Sequence, residues 1–90
     1  EVFEGMQLMR VNPPVMAEFN LPLETEGVLV AQAGPTALRV GLRSGDVIEA
    51  VNDQAVTHPR DVAQAFATQV RGYTLTVQRG AQRVLLRFGR

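Results

Sequence analysis

Residues 27–56, which read GVLVAQAGPTALRVGLRSGDVIEAVNDQAV, decide the fold of this 90-residue chain. The apolar run at 27–33 is bounded by Gly27 and Gly34-Pro35, and a run of this length suits a buried strand better than a helix. Residues 35–41 begin with proline and end with Gly41, an asymmetry typical of a short helix followed by a left-handed residue. Residues 27–41 therefore predict a strand followed by a short helix.

A second apolar strand is predicted at residues 46–52, with Glu49 pointing outward and a turn at Asn52-Asp53-Gln54. The clearest helix of the chain follows at residues 59–70. Thr57 or His58 is placed to cap it, and Asp61 lies in its first turn, where the helix dipole favours a negative charge. Its apolar stripe has three- and four-residue spacing and comprises Val62, Ala65, Phe66, Gln69 and Val70.

The two ends of the chain add further short elements. Residues 6–11 predict a strand that stops at Asn12-Pro13-Pro14, because proline cannot donate a ladder hydrogen bond. A helical turn built on Val15, Met16 and Phe19 follows, closed by Asn20 and Pro22. Residues 73–88 alternate strictly around a turn at 79–82 and predict a β-hairpin.

These elements predict one domain over residues 1–90. Its class is α+β, a partly open antiparallel β-barrel or sandwich of about five strands with two or three short helices. Hydrophobic residues make up 46% of the chain, which is enough for one modest core. The chain has no cysteine, so its fold depends on packing alone.

The charge balance argues against a polyanionic partner. Nine basic residues, all arginine, match nine acidic residues, so no net field is available to hold nucleic acid or an acidic membrane surface. No apolar stretch approaches the roughly 20 residues of a membrane span, and the N-terminus lacks a signal-peptide pattern. We therefore expect no nucleic-acid partner, no membrane insertion, and a soluble module excised from a longer parent.

Catalytic and metal-binding chemistry is poorly represented. Ser44 is the only serine and His58 the only histidine; Ser44 lies in the turn GLRSGD, and His58 at a helix start suits a capping or surface role, or a ligand contact if a groove lies beside it. Glu24, Glu26 and Asp46 lack a ligand spacing and are read as a solvated face. The sequence predicts no catalytic residue, no metal site and no cofactor.

The same stretch resembles a PDZ domain of the bacterial HtrA/Deg (Do-like) family of trypsin-like serine proteases. The resemblance extends through THPRDVAQAF, similar to the helix that walls a PDZ groove, and through the closing hairpin. FEG near the start and VQRG near the end are most similar to the second PDZ domain of Deg proteases. The residues that carry the resemblance are Gly27-Val28, Gly34-Pro35 with Ala37, Gly41-Leu42, Gly45-Asp46-Val47-Ile48 and Val51-Asn52.

The resemblance implies a peptide-binding groove with two sides. The loop Phe3-Glu4-Gly5-Met6 offers backbone N–H groups to a terminal carboxylate, and the strand after it, with Gln7 and Leu8, pairs with the peptide as an added strand. Val62, Ala65 and Phe66 form the facing helical wall, although we expect Phe66 and Val70 to be buried. Glu4 departs from the family pattern, since a carboxylate there repels an anionic ligand unless it swings into solvent or Arg10 compensates.

The implied function is capture of extended peptides or unfolded-protein C-termini with an apolar last residue. The module itself is not an enzyme; it serves a serine endopeptidase domain of the same parent chain in protein quality control. The parent is expected to be a homo-oligomer in the periplasm or cell envelope. The alternative is a scaffold element for interdomain contact or oligomer assembly, with an unused or occluded groove.

Overall fold

The structure is a computed structural model, and it describes residues 5–19, 21, 25–67 and 72–89. Strands and helices alternate along it in the order β1-α1-β2-α2-β3-β4-α3-β5-β6. The strands are β1 (Gln7–Arg10), β2 (Val28–Gln32), β3 (Val47–Val51), β4 (Gln54–Ala55), β5 (Gly72–Arg79) and β6 (Gln82–Gly89). The helices are α1 (Pro13–Glu18), α2 (Gly34–Arg39) and α3 (Pro59–Ala67).

All six strands belong to one antiparallel sheet with the order β1-β2-β3-β5-β6, in which β4 pairs with β3 away from this path. Together with the three helices, the sheet confirms the predicted α+β class and its antiparallel architecture. The hairpin β5–β6 pairs from Gly72↔Gly89 to Arg79↔Gln82. Its tight turn has Gly80 at a φ of 61°, as expected for a two-residue hairpin loop with glycine at the first central position.

The two central strands β2 and β3 are buried on both faces. Val28, Val30 and Ile48 belong to the main core, whereas Leu29 and Val47 pack with Val15 of α1 in a second cluster on the other face. This double burial explains why β2 reads as a continuous apolar run rather than an alternating one. The sheet is thus a shared wall between two apolar clusters.

Gly27 allows the chain to enter β2 in close contact with β3. Its φ is 139°, and a Cβ built there would lie 2.4 Å from the carbonyl oxygen of Ile48. No other residue type fits a position that combines this backbone conformation with this approach. The glycine that bounds the predicted strand is therefore required by contact with the neighbouring strand.

The first helix begins earlier than the sequence indicates. The Asn12 side chain accepts a hydrogen bond from the backbone N–H of Val15 at 3.0 Å, so Asn12 is the N-cap. Pro13 and Pro14 then occupy the first helical turn, where a missing N–H costs nothing. The prolines that end β1 thus also start α1; the predicted closing residues Asn20 and Pro22 lie outside the described residues.

Candidate functional site

Strand β1 is an edge of the sheet. Within the described residues it pairs with β2 alone, through Leu8↔Val30, Met9↔Leu29 and Arg10↔Val28. Its other edge carries main-chain N–H and C=O groups that no described strand uses, and helix α3 lies next to β1. An edge of this kind can pair with an extended chain through main-chain hydrogen bonds.

The N-terminal end of this edge is a turn at Gly5. Gly5 has a φ of 78°, and a Cβ built there would lie 3.5 Å from Cδ of Pro35 and 3.6 Å from Cα of Gly34. Glycine is the residue that adopts this conformation without steric cost. Of the predicted loop, Gly5 and Met6 are described, whereas Phe3 and Glu4 lie outside the described residues.

The side chains of β1 alternate between the two faces of the sheet. Met6 is almost completely buried in the main core, and Leu8 is partly buried against the same core. Gln7 is exposed, and Met9 pairs with Leu29 of the second cluster. Leu8 therefore lies on the same face as the main core, while Met9 lies on the face that carries α1.

The apolar stripe of α3 faces the core. Val62 is more deeply buried than the predicted groove wall requires, and Phe66 is less buried than predicted. Val62 has no exposed surface, so it forms part of the core rather than a surface wall. Ala65 and Phe66 are only partly buried and pack against that core. The expectation that Phe66 is buried is wrong to this extent, and Val70 lies outside the described residues.

Phe66 is directed towards the hairpin. Its ring centroid lies 4.6 Å from that of Tyr73 and 5.9 Å from that of Phe88. The Tyr73 hydroxyl donates a hydrogen bond of 3.2 Å to the carbonyl oxygen of Phe66. These contacts fix the C-terminal half of α3 against β5 and β6. Phe66 is thereby occupied by the hairpin, and the neighbouring Ala65 is a small, partly exposed residue that packs against the main core.

At the start of α3 the side chain that binds backbone N–H groups is that of Asp61, and the Thr57 hydroxyl donates a hydrogen bond of 3.4 Å to the same carboxylate oxygen. One Asp61 carboxylate oxygen accepts hydrogen bonds of 3.1 Å from the backbone N–H groups of both Thr57 and His58. These backbone hydrogen bonds lower the pKa of Asp61 below its usual range. Asp61 thus does more than complement the helix dipole, because it reaches back to satisfy orphan N–H groups at the helix start.

Asp46 is not part of a solvated face, and the prediction that placed it there is wrong. Its side chain is 2% exposed and makes a bidentate ion pair with Arg79 at 2.9 and 2.8 Å. The same carboxylate accepts a hydrogen bond from the backbone N–H of Arg43, and Arg79 donates to the carbonyl oxygen of Gly41. The hydrogen bond with Asp46 raises the pKa of Arg79.

This ion pair ties the loop between α2 and β3 to the end of β5. An aspartate after the glycine of GLRSGD and an arginine before the glycine of QRG are the only sequence signals for it. Their partnership is a long-range contact that local patterns do not reveal. Glu26, by contrast, is exposed as expected, and Glu24 lies outside the described residues.

The two residues considered for catalysis, Ser44 and His58, lie in different parts of the fold. The hydroxyl of Ser44, in the turn before β3, accepts a hydrogen bond of 3.1 Å from the backbone N–H of Ala33. His58 directly precedes the first residue of α3. In the part of the chain that is described, no group of three or more His, Cys, Asp or Glu residues could hold a metal ion.

Among the described helices, none has both the length and the apolar character needed to cross a bilayer.

Comparison with known families assigns the fold to a defined class. The family model for the PDZ domain matches residues 27–79, which is more than half of the chain. The chain therefore belongs to the PDZ domain family.

Curated relatives are HtrA-type proteases that are much longer than this chain. The chain is 39% identical over 71 residues to a "Probable periplasmic serine endoprotease DegP-like" of Brucella suis, covering 76% of this chain and 14% of that protein. It is 32% identical over 89 residues to the mitochondrial serine protease HTRA2 of Bos taurus, covering 91% of this chain and 19% of that protein. The chain thus spans less than a fifth of the length of these two proteases.

Solved structures share the fold. The HtrA3 PDZ domain bound to a phage-derived ligand, FGRWV, superposes with a TM-score of 0.82 at 24% identity, covering 97% of this chain and 83% of that chain. The HtrA-type protease AlgW with a decapeptide gives a TM-score of 0.75 at 30% identity, covering 94% of this chain and 27% of that chain. Both structures confirm the PDZ architecture predicted from the sequence.

Proposed function

We propose that this domain captures extended peptides by adding them as a strand to the open edge of β1. The peptide C-terminus lies at the Gly5 turn, where backbone N–H groups of the loop bind the terminal carboxylate. The captured chain end serves a serine endopeptidase domain of the same parent protein, either by delivering substrate or by regulating the protease. The residues assigned to the site are Phe3, Glu4, Gly5, Met6, Gln7, Leu8, Val62, Ala65 and Phe66.

The observation that carries this proposal is the open edge of β1 beside α3, headed by a glycine with positive φ. Main-chain hydrogen bonds to such an edge accept almost any sequence, whereas the side-chain contacts of Leu8 and Ala65 favour apolar residues. Reversible capture requires only micromolar affinity, about −8 kcal/mol. Because Val62 is fully buried, it supports the floor of the groove instead of contacting the peptide directly.

The relatives support the proposal and its setting. AlgW, which is 30% identical to this chain, has structures with a decapeptide and with a tripeptide. The bacterial relatives are named as periplasmic serine endoproteases. These names support our proposal that the parent protein is a protease of the periplasm or cell envelope. That the parent is a homo-oligomer stays a prediction from the family resemblance.

The proposal is tested with an apolar-ended peptide and its C-terminally amidated copy, followed by amide chemical shifts of the labelled domain. The free peptide is expected to shift the amides of Gly5, Met6, Leu8 and Val62. Amidation removes the charged acceptor, so affinity is expected to fall about tenfold or more, since hydrogen bonds to a charged group contribute about 1.5–3 kcal/mol. Unchanged spectra with both peptides contradict capture at this edge and favour the assembly role.

A matched pair of glycine variants tests the loop assignment. Gly5→Val places a β-branched residue at a φ of 78° and is expected to displace the loop N–H groups, which weakens peptide binding about fivefold or more. Gly80→Val places the same strain in the hairpin turn, where φ is 61° and no atom lies within 4 Å of a built Cβ. Both variants are expected to lose stability, but only Gly5→Val is expected to lose affinity; equal affinities contradict the role of the loop.

A further inference from the structure

We infer that Arg10 makes the domain select peptides with an acidic residue at the fifth position from the C-terminus. The inference rests on the proposed function, because it assigns a specificity-determining residue to the same groove. It follows from the register of β1, the face on which Arg10 lies, and the exposure of Arg10, which forms no ion pair within the described ranges.

Arg10 lies on the same face of the sheet as the apolar floor of the groove. It pairs with Val28, and Leu8 pairs with Val30; both valines belong to the main core. Directly opposed residues in an antiparallel pair share a face, so Leu8 and Arg10 lie on the core face of β1. The irregularity in the β1–β2 register falls between Gln7 and Leu8 and leaves the pairing from Leu8 to Arg10 regular.

The direction of the bound peptide follows from the position of the Gly5 turn. A carboxylate held at this turn places the peptide C-terminus at the start of β1, so the peptide runs antiparallel to the strand. The last residue then lies beside Met6. Because side chains alternate with a period of two, the third residue from the end shares a face with Leu8 and the fifth shares a face with Arg10.

Arg10 carries the positive charge at the C-terminal end of β1. Arg10 is exposed and makes no ion pair with any residue of the described ranges. Asp61, the acidic residue in the first turn of the neighbouring helix, forms no ion pair with Arg10; its carboxylate accepts the N–H groups of Thr57 and His58 instead. A carboxylate on the peptide can pair with the exposed Arg10 in the planar, bidentate geometry that guanidinium groups favour.

The experiment measures affinities of apolar-ended octapeptides that carry Glu, Gln or Lys at the fifth position from the C-terminus. A further peptide carries Glu at the fourth position, which faces away from Arg10. Binding to the wild-type domain is followed by fluorescence anisotropy at low and high salt. The variants are Arg10→Gln, Arg10→Glu and, as a control on the opposite edge strand, the exposed Arg87→Gln.

The wild-type domain is expected to bind the Glu peptide two- to fivefold more tightly than the Gln peptide at low salt, about the range for an exposed ion pair. This preference is expected to disappear in Arg10→Gln and with Glu at the fourth position. In Arg10→Glu it is expected to shift towards the Lys peptide, whereas Arg87→Gln retains it.

The outcomes separate the two levels of the proposal. Equal affinities of the wild-type domain for the Glu and Gln peptides, with amidation still weakening both, overturn the role of Arg10 and leave peptide capture intact. A Glu preference that survives in Arg10→Gln also overturns it. If no peptide binds the wild-type domain, peptide capture itself fails, and the selectivity fails with it.

Discussion

At the scale of single residues, Asp46 of the turn GLRSGD has a structural role, because it forms a buried ion pair with Arg79. Its carboxylate is 2% exposed and has three hydrogen-bond donors, two from Arg79 and one from the backbone of Arg43. A buried carboxylate is tolerated only when it is paired and hydrogen-bonded. Arg79 therefore stabilises the fold mainly by preventing an unpaired charge in the interior.

Removing Arg79 is expected to destabilise the domain much more than removing a comparable surface arginine. Arg79→Met leaves Asp46 buried with only the N–H of Arg43, and we expect a loss of about 3 kcal/mol in the free energy of unfolding, the lower end for a broken buried pair because Arg79 is 29% exposed. The control is Arg83→Met, because Arg83 also pairs with a carboxylate, that of Glu49 through a single contact of 2.9 Å, but the two side chains are 70% and 21% exposed. That variant is expected to lose less than about 1 kcal/mol.

Urea denaturation of the wild-type domain and both variants at neutral pH measures the difference. Similar losses in the two variants mean that burial of Asp46 contributes nothing to the role of Arg79. A loss in Arg79→Met that disappears in the double variant Asp46→Asn, Arg79→Met supports the assignment, because the unpaired charge is then absent.

At the scale of elements, the start of α3 provides a pH-dependent contribution to stability. The hydrogen bonds from Thr57 and His58 lower the pKa of Asp61 from its ordinary value of 3.8. A carboxylate with a lowered folded-state pKa stabilises the protein at pH values above its unfolded pKa, and this contribution is lost as pH falls through the folded pKa. The cap should therefore be fully effective at neutral pH and weaken below about pH 4.

The variant Asp61→Ala is expected to be less stable than the wild-type domain at neutral pH, and this difference should shrink as pH falls from about 4 to about 2. Urea midpoints of both proteins over this range measure the difference, and the carbon chemical shift of the Asp61 carboxyl group gives its pKa directly. A stability difference that stays constant to the lowest pH contradicts the capping role. So does a carboxyl group that titrates above its ordinary pKa.

Elements with strong local signals could be predicted from the sequence. The hairpin is confirmed because alternation over residues 73–88 and the glycine turn agree with each other, and α3 is confirmed from Pro59 to Ala67 because its stripe has helical spacing. Strand β4 was not predicted, since Gln54–Ala55 is too short to show a period. Its pairing depends on the turn at Asn52-Asp53, whose φ values of 50° and 68° bring Gln54 back beside Val51.

Only the parts of the candidate site that depend on local sequence patterns could be predicted. The position of the glycine turn and of the strand after it follows from the sequence. That Val62 is buried while Ala65 stays partly exposed depends on how α3 is rotated against the sheet. This rotation is set by packing of Phe66 against Tyr73 and Phe88, a contact between distant parts of the chain.

At the scale of the whole molecule, one sheet joins two apolar clusters. Leu29 and Val47 belong to the smaller cluster beneath α1, yet their neighbours in the same strands, Val28 and Ile48, belong to the main core. If such a strand loses its packing on one face of the sheet, its packing on the other face is disrupted as well. The two clusters are therefore expected to unfold together as a single cooperative unit.

This cooperativity can be measured because the chain has one tyrosine and no tryptophan. Tyr73 lies in the main core, so its fluorescence reports on that cluster, whereas far-UV circular dichroism reports on all elements. The variant Leu29→Ala removes a fully buried side chain from the smaller cluster only. It is expected to lower the free energy of unfolding by about 3 kcal/mol, as is typical for a buried leucine.

If the sheet couples the clusters, Leu29→Ala shifts the tyrosine and circular dichroism transitions equally, and the two remain superimposed. Leu75→Ala, which truncates a leucine of the main core, is the matched control and should behave in the same way. A tyrosine transition that stays at its wild-type midpoint in Leu29→Ala, while circular dichroism shifts, shows that the clusters unfold separately. In that case the α1 side could open without disturbing the core that supports the β1 edge.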